Sequence, residues 1–253
     1  MTRQRGALRQ TFGLARSMLI YHRPGRQRGL RRLYAGFVRS GDLVFDIGAH
    51  LGDRTLAFSG LGARVVALEP QPRPFNWLRR LSGYRPGVTL LAMAAGAAEG
   101  EAELAISAAT PTVSTLAEEW RASIGARNAG FRKVRWDHRI RVPVTTLDRL
   151  IGEYGEPRFC KIDVEGYEAE VLAGLSRPLA ALSVEFVAGA LPVAGRCVTR
   201  LAELGHYEFN VVAGEGRRFL WSAWHGPEAV ARWLESGAGG LPSGDLYGRL
   251  VRP

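Results

Sequence analysis

Two short apolar runs, each closed by an acid, constrain this chain more than any other feature. Segment 42–69 reads DLVFDIGAHLGDRTLAFSGLGARVVALE, with the first run ending at Asp46 and the second at Glu69. A loop with two glycines and a stretch of helical spacing lie between the two runs. Apolar runs on either side of such a segment are typical of a βαβ unit. The sequence therefore predicts an α/β fold with a doubly wound, mostly parallel sheet.

The loop of this unit has the features of a nucleotide-type site. Gly48 and Gly52 allow a positive φ and let a ligand approach the backbone. The helix that begins near Asp53 presents unpaired N–H groups towards such a ligand. Asp46 and Glu69 follow adjacent strands, so both should face one crevice. An acid at the second strand end can accept hydrogen bonds from two ribose hydroxyls.

The spacing of the loop argues against a dinucleotide cofactor. The fingerprint G-x-G-x-x-G would need glycines at the positions of His50 and Asp53. An acid at the helix start also opposes a pyrophosphate, so a nicotinamide oxidoreductase is disfavoured. S-adenosylmethionine (SAM), which has a sulfonium and an amino group, suits the loop better. The alternative interpretation is an ordinary βα turn whose glycines serve packing.

The positive charge is concentrated at the amino terminus. The net charge is +10, but residues 1–41 carry ten arginines and no acid, and the remainder has 24 basic and 24 acidic residues. A neutral body weakens the case for a nucleic-acid enzyme, and we expect no DNA partner. Residues 1–30 are interpreted as a basic extension that could contact a membrane surface or an anionic partner. No run of 18 apolar residues occurs, so we expect a cytoplasmic location.

A second informative stretch, residues 157–175, reads PRFCKIDVEGYEAEVLAGL. A predicted strand ends just before Asp163, and Glu165 and Glu168 follow closely. These acids should border the same crevice, where Asp163 or Glu165 could serve as a base, a substrate ligand or a metal ligand. For Glu168 we favour a solvated position in the first turn of a helix. Glu185, near the end of the next predicted strand, is a further acid at the rim.

The rest of the chain frames these two stretches. Residues 117–138 are interpreted as a variable insertion near the substrate. Residues 207–212 and 217–223 are predicted to form a closing antiparallel pair. The main domain is predicted to span residues 31–236, followed by a loosely held, Gly/Pro-rich tail at 237–253.

The order of motifs resembles the FkbM family of SAM-dependent methyltransferases. The similarity is carried by VFDIGAHLGDRT, ALEPQPRPF, VPVTTLDRL, FCKIDVEGYEAEVLAGL and LSVEF. The resemblance implies a seven-stranded, Rossmann-like class I methyltransferase sheet with an antiparallel closing strand. It also implies SAM as the donor and a hydroxyl oxygen of a small molecule, sugar or natural product as the acceptor.

The resemblance also implies which residues bind the donor. The expected donor contacts are Asp46, Gly48, His50, Gly52, Thr55, Glu69 and Pro70. A hydroxyl is a weak nucleophile, so from its chemistry we assign Asp163 as the base and Glu165 to positioning of the acceptor, with Glu185 and, less favoured, His50 as the alternatives for the base. A divalent metal could assist, although no metal motif indicates one. The alternatives are an RNA methyltransferase that uses the Arg-rich start and a non-catalytic binding protein with the same fold.

Overall fold

The computed structural model describes residues 25–107, 109–110 and 113–251. The predicted basic extension therefore lies almost entirely outside the described residues. The helices are α1 (Arg26–Tyr34), α2 (Asp53–Ser59), α3 (Pro72–Ser82), α4 (Glu118–Arg127), α5 (Leu147–Tyr154), α6 (Glu168–Ala173), α7 (Leu191–Leu204) and α8 (Pro227–Glu235).

Seven strands form one sheet in the order β3-β2-β1-β7-β8-β10-β9. They are β1 (Leu43–Ile47), β2 (Arg64–Leu68), β3 (Val88–Leu91), β7 (Phe159–Ile162), β8 (Ala181–Val187), β9 (Tyr207–Ala213) and β10 (Ser243–Leu250). The pairs among β3, β2, β1, β7 and β8 are all parallel. The predicted fold class, a doubly wound and mostly parallel seven-stranded sheet, is confirmed.

Strand β10 is the antiparallel strand of this sheet, and it comes from an unexpected part of the chain. It lies between β8 and β9 and pairs antiparallel with both. The expectation of a loosely held tail is therefore wrong for residues 243–250. The predicted strand at 217–223 is also wrong: these residues, all described, form bends, although the backbone N–H of Leu220 donates to the carbonyl of Val211 on β9 at 2.7 Å. Backbone pairing with β8 on one side and β9 on the other holds β10 inside the sheet.

Helices cover both faces of the sheet, as parallel strands require. On one face α1, α2 and α3 contribute buried residues such as Leu33, Phe58 and Leu78 to one core cluster. On the other face α5, α6, α7 and α8 contribute the second cluster. Helix α7 begins at Leu191, and a proline is tolerated in its first turn.

A smaller sheet stands beside the carboxyl ends of the main strands. It has the order β4-β6-β5, where β4 is Ala94–Ala95, β5 is Gly100–Ile106 and β6 is His138–Thr145. The predicted insertion between β5 and β6 contains α4 and a short 3₁₀ turn. No helix among the described residues is long and apolar enough to cross a membrane.

Candidate active site

A cavity of ≈ 280 Å³ opens at the carboxyl ends of β1, β2, β7 and β8. This volume is near the lower end of the range of about 300–1,000 Å³ for ligand pockets. Its walls come from the loops after these strands and from the small sheet. We call this cavity the hollow. It is lined by Ile47, Gly48, His50, Arg54, Leu68, Glu69, Pro70, Gln71, Met93, Ala94, Ala95, Leu104, Ser114, Thr115, Leu116, Asp163, Val164, Glu165, Tyr167, Glu185 and Glu215.

The glycines of the first loop are required by the protein's own packing. Gly48 has φ 84°, and a Cβ there would lie 1.9 Å from the carbonyl oxygen of Asp163. Gly52 has φ 83°, and its Cβ would lie 2.6 Å from a methyl group of Leu78. Gly48 therefore lets the tips of β1 and β7 approach each other, while Gly52 lets the loop pass over α3.

Glu69 closes β2 and borders the hollow directly. One carboxylate oxygen accepts the backbone N–H of His50 at 2.9 Å, and the other accepts that of Gln71 at 2.8 Å. Burial raises the pKa of Glu69 to about 7, although these hydrogen bonds act to lower it. Each carboxylate oxygen has a second lone pair, so Glu69 can still accept hydrogen bonds from a ligand.

Asp46 is held inside the fold by Thr55. The hydroxyl of Thr55 donates to Asp46 Oδ2 at 2.5 Å, and both side chains are buried. Burial raises the pKa of Asp46 to about 6, while the Thr55 hydrogen bond lowers it. Asp46, Gly52 and Thr55, although described, are not among the residues that line the hollow. These three residues are placed to support the first loop from the side that faces away from the hollow.

His50 sits in the first loop with φ 48°, a left-handed conformation that is uncommon for a residue with a side chain. Its ring borders the hollow. Burial lowers the pKa of His50 to about 4, and the charge of Asp163 only partly offsets this effect. The imidazole is therefore neutral at physiological pH and adds no positive charge to the hollow.

Asp163 stands at the end of β7 and is held by a buried lysine that sequence reasoning did not assign to the site. Lys161 Nζ lies 3.0 Å from Asp163 Oδ2 and 2.9 Å from Asp245 Oδ1. Burial acts to raise the pKa of Asp163, but the charges of Lys161 and Arg54 outweigh it and the pKa is lowered. Asp163 is therefore a carboxylate at neutral pH.

Glu165 and Glu185 lie close to Asp163 in the hollow. Carboxylate oxygens of the three acids all lie within 4.8 Å of one another, so they are the set that could hold a hard cation. Burial and the neighbouring charge of Asp163 raise the pKa values of Glu165 and Glu185 well above their usual range. Without a cation between them, these two acids favour the protonated form.

Glu168 is buried, which corrects the expectation of a solvated side chain. Its Oε1 accepts the backbone N–H groups of Val164 at 3.0 Å and Gly166 at 3.2 Å. Burial raises the pKa of Glu168 to about 7. Glu168 therefore fixes the turn between β7 and α6, and with it the position of Glu165.

The small sheet supplies the wall opposite the strand tips. Ser114 Oγ donates to Gln71 Oε1 at 2.9 Å, and Thr115 Oγ1 donates to the backbone carbonyl of Glu165 at 2.7 Å. These two hydrogen bonds connect the segment after β5 to both sides of the hollow. The wall between them is apolar, with Leu104 and Leu116.

Arg54 brings positive charge to the hollow. Its guanidinium contacts Asp53 at 3.0 Å and Glu215 at 3.2 Å. Among the described residues, Arg54 is the one arginine or lysine that lines the hollow, against five acids. Glu215 is paired with Arg54, and Glu165 and Glu185 favour the protonated form, so Asp163 and, when ionised, Glu69 are the acids that bring negative charge to the hollow.

Asp53 does not act as the loop pattern suggested. Its carboxylate accepts hydrogen bonds from Arg26 at 2.7 Å and from Gln27 at 2.8 Å, which tie α2 to α1. Asp53 is thus neutralised by Arg26 and Arg54 and faces the protein. Asp53 is therefore a weaker argument against a pyrophosphate ligand than the sequence suggested. The presence of His50 where the dinucleotide fingerprint needs a glycine still argues against such a ligand.

The motifs that build the hollow belong to a known family. A family model described as "Methyltransferase FkbM domain" matches residues 46–195. This chain belongs to the FkbM methyltransferase family. The match begins at Asp46 and includes every residue predicted to contact the donor or the acceptor.

The FkbM family assignment is accompanied by one curated relative. The hexuronic acid methyltransferase AglP of Haloferax volcanii is 30% identical over 148 residues, which cover 58% of this chain and 54% of AglP. The chain thus spans about half the length of that relative.

Solved structures align more loosely with this FkbM chain. The precorrin-6y C5,15-methyltransferase of Geobacter metallireducens has a TM-score of 0.47 and 13% identity, and the match covers 90% of this chain and 87% of that one. Fibrillarin of Aeropyrum pernix with bound S-adenosyl-L-methionine has a TM-score of 0.42 and 13% identity, and the match covers 84% and 68%.

Sequence reasoning did not assign Lys161, Arg54 or Asp245 to the FkbM site. Lys161 offered one usable signal, since it is one of two lysines among 34 basic residues. Arg54 was hidden by the abundance of arginine elsewhere. Asp245 lies on β10 in the segment interpreted as a tail, and no local pattern connects it with β7.

Proposed function

We propose that this chain transfers a methyl group from SAM to a hydroxyl oxygen of a small-molecule or sugar acceptor. The observation that carries the proposal is that Glu69 and Asp163, at the ends of two strands on either side of β1, border the same hollow. A ribose-binding acid and an acid beside the reacting atoms are what a methyl donor site requires at its two ends. Family membership supports the reaction class.

The residues present fit the donor. Glu69 would accept hydrogen bonds from the ribose hydroxyls, and the backbone of Gly48 with the ring of His50 would border the nucleoside. Small and apolar side chains around Ala94 leave room for a flat ring, and the Asp163 carboxylate would attract the sulfonium and the ammonium. Arg54 would face the donor's carboxylate. Asp46, Gly52 and Thr55 would act indirectly by fixing the loop.

Bound SAM supplies an electrophilic methyl group on a positively charged sulfur. The chain's own residues must place the acceptor oxygen in line with that group, and positioning carries much of the rate. Asp163, held as a carboxylate by Lys161, can accept a hydrogen bond from the acceptor hydroxyl. The oxygen loses its proton readily as its bond to the methyl carbon forms, so even a carboxylate with a lowered pKa can take it.

Glu165 and Glu185 complete the acceptor side. Because Glu165 favours the protonated form, it can donate a hydrogen bond to an acceptor oxygen that Asp163 does not contact, whereas protonated Glu185 donates to Asp163 itself. We assign Glu165 to positioning of the acceptor and Glu185 to the same wall. Since AglP is a hexuronic acid methyltransferase, a sugar with several hydroxyls is the acceptor class we propose to test first.

The test has a binding step and a turnover step. Calorimetry should show binding of S-adenosylhomocysteine and no binding of NAD. Labelled SAM should then methylate a member of a panel of hexoses, uronic acids and their glycosides. The matched variants are Glu69→Gln, which should lose donor affinity, and the surface variant Glu99→Gln, which should not.

Three results would contradict the proposal in different ways. Binding of NAD in place of S-adenosylhomocysteine would restore the oxidoreductase alternative. Methylation of RNA, with an affinity that falls steeply with salt, would favour the RNA enzyme. Donor binding without transfer to any member of the panel would favour a binding protein.

A further inference from the structure

Lys161 is a charged residue at a buried position, and such a position calls for a physical explanation. Its side chain is 1% exposed, and it lies between two carboxylates from different strands. Burying an ion is costly even when it is paired, and buried ion pairs are often no better for stability than apolar residues. A core lysine therefore suggests a role beyond stability.

The geometry links Lys161 to the hollow through Asp163. Lys161 and Asp163 are two residues apart, so both side chains lie on the same face at the end of β7. The ammonium contacts Oδ2 of Asp163, while 30% of the Asp163 side chain stays exposed in the hollow. Lys161 itself does not line the hollow as the described residues define it. It can affect a ligand there only through Asp163.

The choice of lysine over arginine is informative in this chain. Two of its 34 basic residues are lysines. Lys133 is exposed, whereas Lys161 is fully buried. An ammonium is a compact charge with three donors, so it can contact two carboxylates in a space too small for a planar guanidinium.

Asp245 holds the other side of the ammonium. Strand β10 places Asp245 opposite Glu185 in register, and the Asp245 side chain is 9% exposed. Asp245 lies beyond the residues that the family model matches, 46–195. The pair Lys161–Asp245 therefore couples the last strand of the sheet to an acid of the hollow.

We propose that Lys161 is a positioning residue that holds the Asp163 carboxylate towards the acceptor, and that Asp245 fixes Lys161 for this task. The inference rests on the proposed methyl transfer, because Asp163 is the acid nearest the reacting atoms in that scheme. Loss of Asp245 leaves Lys161 with one partner, and loss of Lys161 leaves Asp163 and Asp245 without the cation that they share.

The first readout does not depend on turnover. In the full chain labelled with ¹⁵N-lysine, the ammonium spectrum contains at most two side-chain signals, one for each lysine. We expect the signal of Lys161, assigned by its absence in Lys161→Met, to shift when saturating S-adenosylhomocysteine is added. The signal of Lys133, or its absence through fast exchange, should not change. A Lys161 signal that stays unmoved would overturn the proposal.

The second readout separates positioning from folding. With an acceptor from the panel, Lys161→Met should lower kcat about 100-fold and Asp245→Asn about tenfold, because small displacements of a reacting group have effects of this size. Donor Kd and acceptor KM should change less than threefold. Lys133→Met and Glu99→Gln, which alter exposed charges, are the matched controls. Lys161→Arg should not restore kcat, because the space between the two carboxylates is too small for a planar guanidinium.

The outcomes distinguish this inference from the proposed function. If the unaltered chain binds no S-adenosylhomocysteine, the proposed function fails. If it binds and transfers normally while Lys161→Met and Asp245→Asn stay as active as the controls, only the positioning role fails. A loss of kcat that merely follows loss of folded protein, measured by thermal unfolding, would also overturn the positioning role.

Discussion

The Glu69 carboxylate accepts the backbone N–H of His50 at 2.9 Å, which ties the end of β2 to the loop after β1. The same carboxyl group has its pKa raised to about 7 by burial. One side chain therefore shapes the first loop and titrates within the physiological range.

Donor binding should depend on pH through Glu69. Ribose hydroxyls donate to a carboxylate, so binding favours the ionised form and the affinity should rise as pH increases through about 7. For a single group, the ionised fraction rises about tenfold between pH 6 and pH 8. Calorimetry with S-adenosylhomocysteine across this range measures the effect. In Glu69→Gln the affinity should be lower and the pH dependence lost; an unchanged profile would argue against Glu69 as the titrating group.

Asp163→Asn should separate chemistry from donor binding. The amide keeps the shape but cannot take the acceptor's proton, so kcat should fall about 100-fold or more. The Kd for S-adenosylhomocysteine should stay within about threefold. Steady-state kinetics with an acceptor from the panel, together with calorimetry, provide both numbers. Full turnover by this variant with normal donor binding would refute the assignment of Asp163 as the base.

Glu165→Gln should behave differently from Asp163→Asn. Because Glu165 favours its protonated form, glutamine retains a hydrogen-bond donor at nearly the same place. We expect a rise in acceptor KM of less than about tenfold and little change in kcat, since one neutral hydrogen bond contributes about 0.5–1.5 kcal/mol. A collapse of kcat would instead identify Glu165 as the proton acceptor.

Removal of divalent metal should leave activity intact. Lys161 already neutralises one oxygen of Asp163, and protons on Glu165 and Glu185 relieve the remaining repulsion. Methyl transfer should therefore survive dialysis against EDTA within about twofold. Loss of activity that Mg²⁺ restores would show that Asp163, Glu165 and Glu185 act as ligands of a cation.

The last strand should be essential to stability. Leu246 on β10 is 1% exposed within the core, so Leu246→Ala should lower the free energy of unfolding by about 2–5 kcal/mol. The matched control is Leu220→Ala, at a side chain 47% exposed, where a change within about 0.5 kcal/mol is expected. Equal effects in urea denaturation would mean that β10 is not integral to the sheet.

The parts of the fold that sequence reasoning predicted well are those that local pattern determines. Strands β1, β2 and β7 are short, mostly apolar runs with an acid at or just after the end of each. Helix α2 follows Gly52, whose left-handed conformation favours glycine. The direction of Asp46 could not be predicted, since its pairing with Thr55 depends on how α2 rotates against β1. The sequence pattern placed Asp46 and Glu69 in one crevice, but only Glu69 lines it.

The strands near the carboxyl terminus show a second limit of prediction from sequence. Residues 217–223 include an apolar cluster typical of a strand, whereas 243–250 contain two glycines and an arginine. Pairing on both sides stabilises β10 despite this composition, because its backbone groups are satisfied by β8 and β9 together. Such a preference is set by tertiary packing, which outweighs intrinsic strand propensity.

The contact between Lys161 and Asp245 joins residues 84 positions apart in the chain. During synthesis, a chain that has formed β7 but not β10 would have Lys161 paired with Asp163 and not yet with Asp245. The second partner becomes available only when β10 has been synthesised and has inserted between β8 and β9. Contacts of such long range form slowly. Assembly of a competent pocket should therefore be among the final events of folding, and a partly synthesised chain should be inert even if its nucleoside-binding half is already ordered.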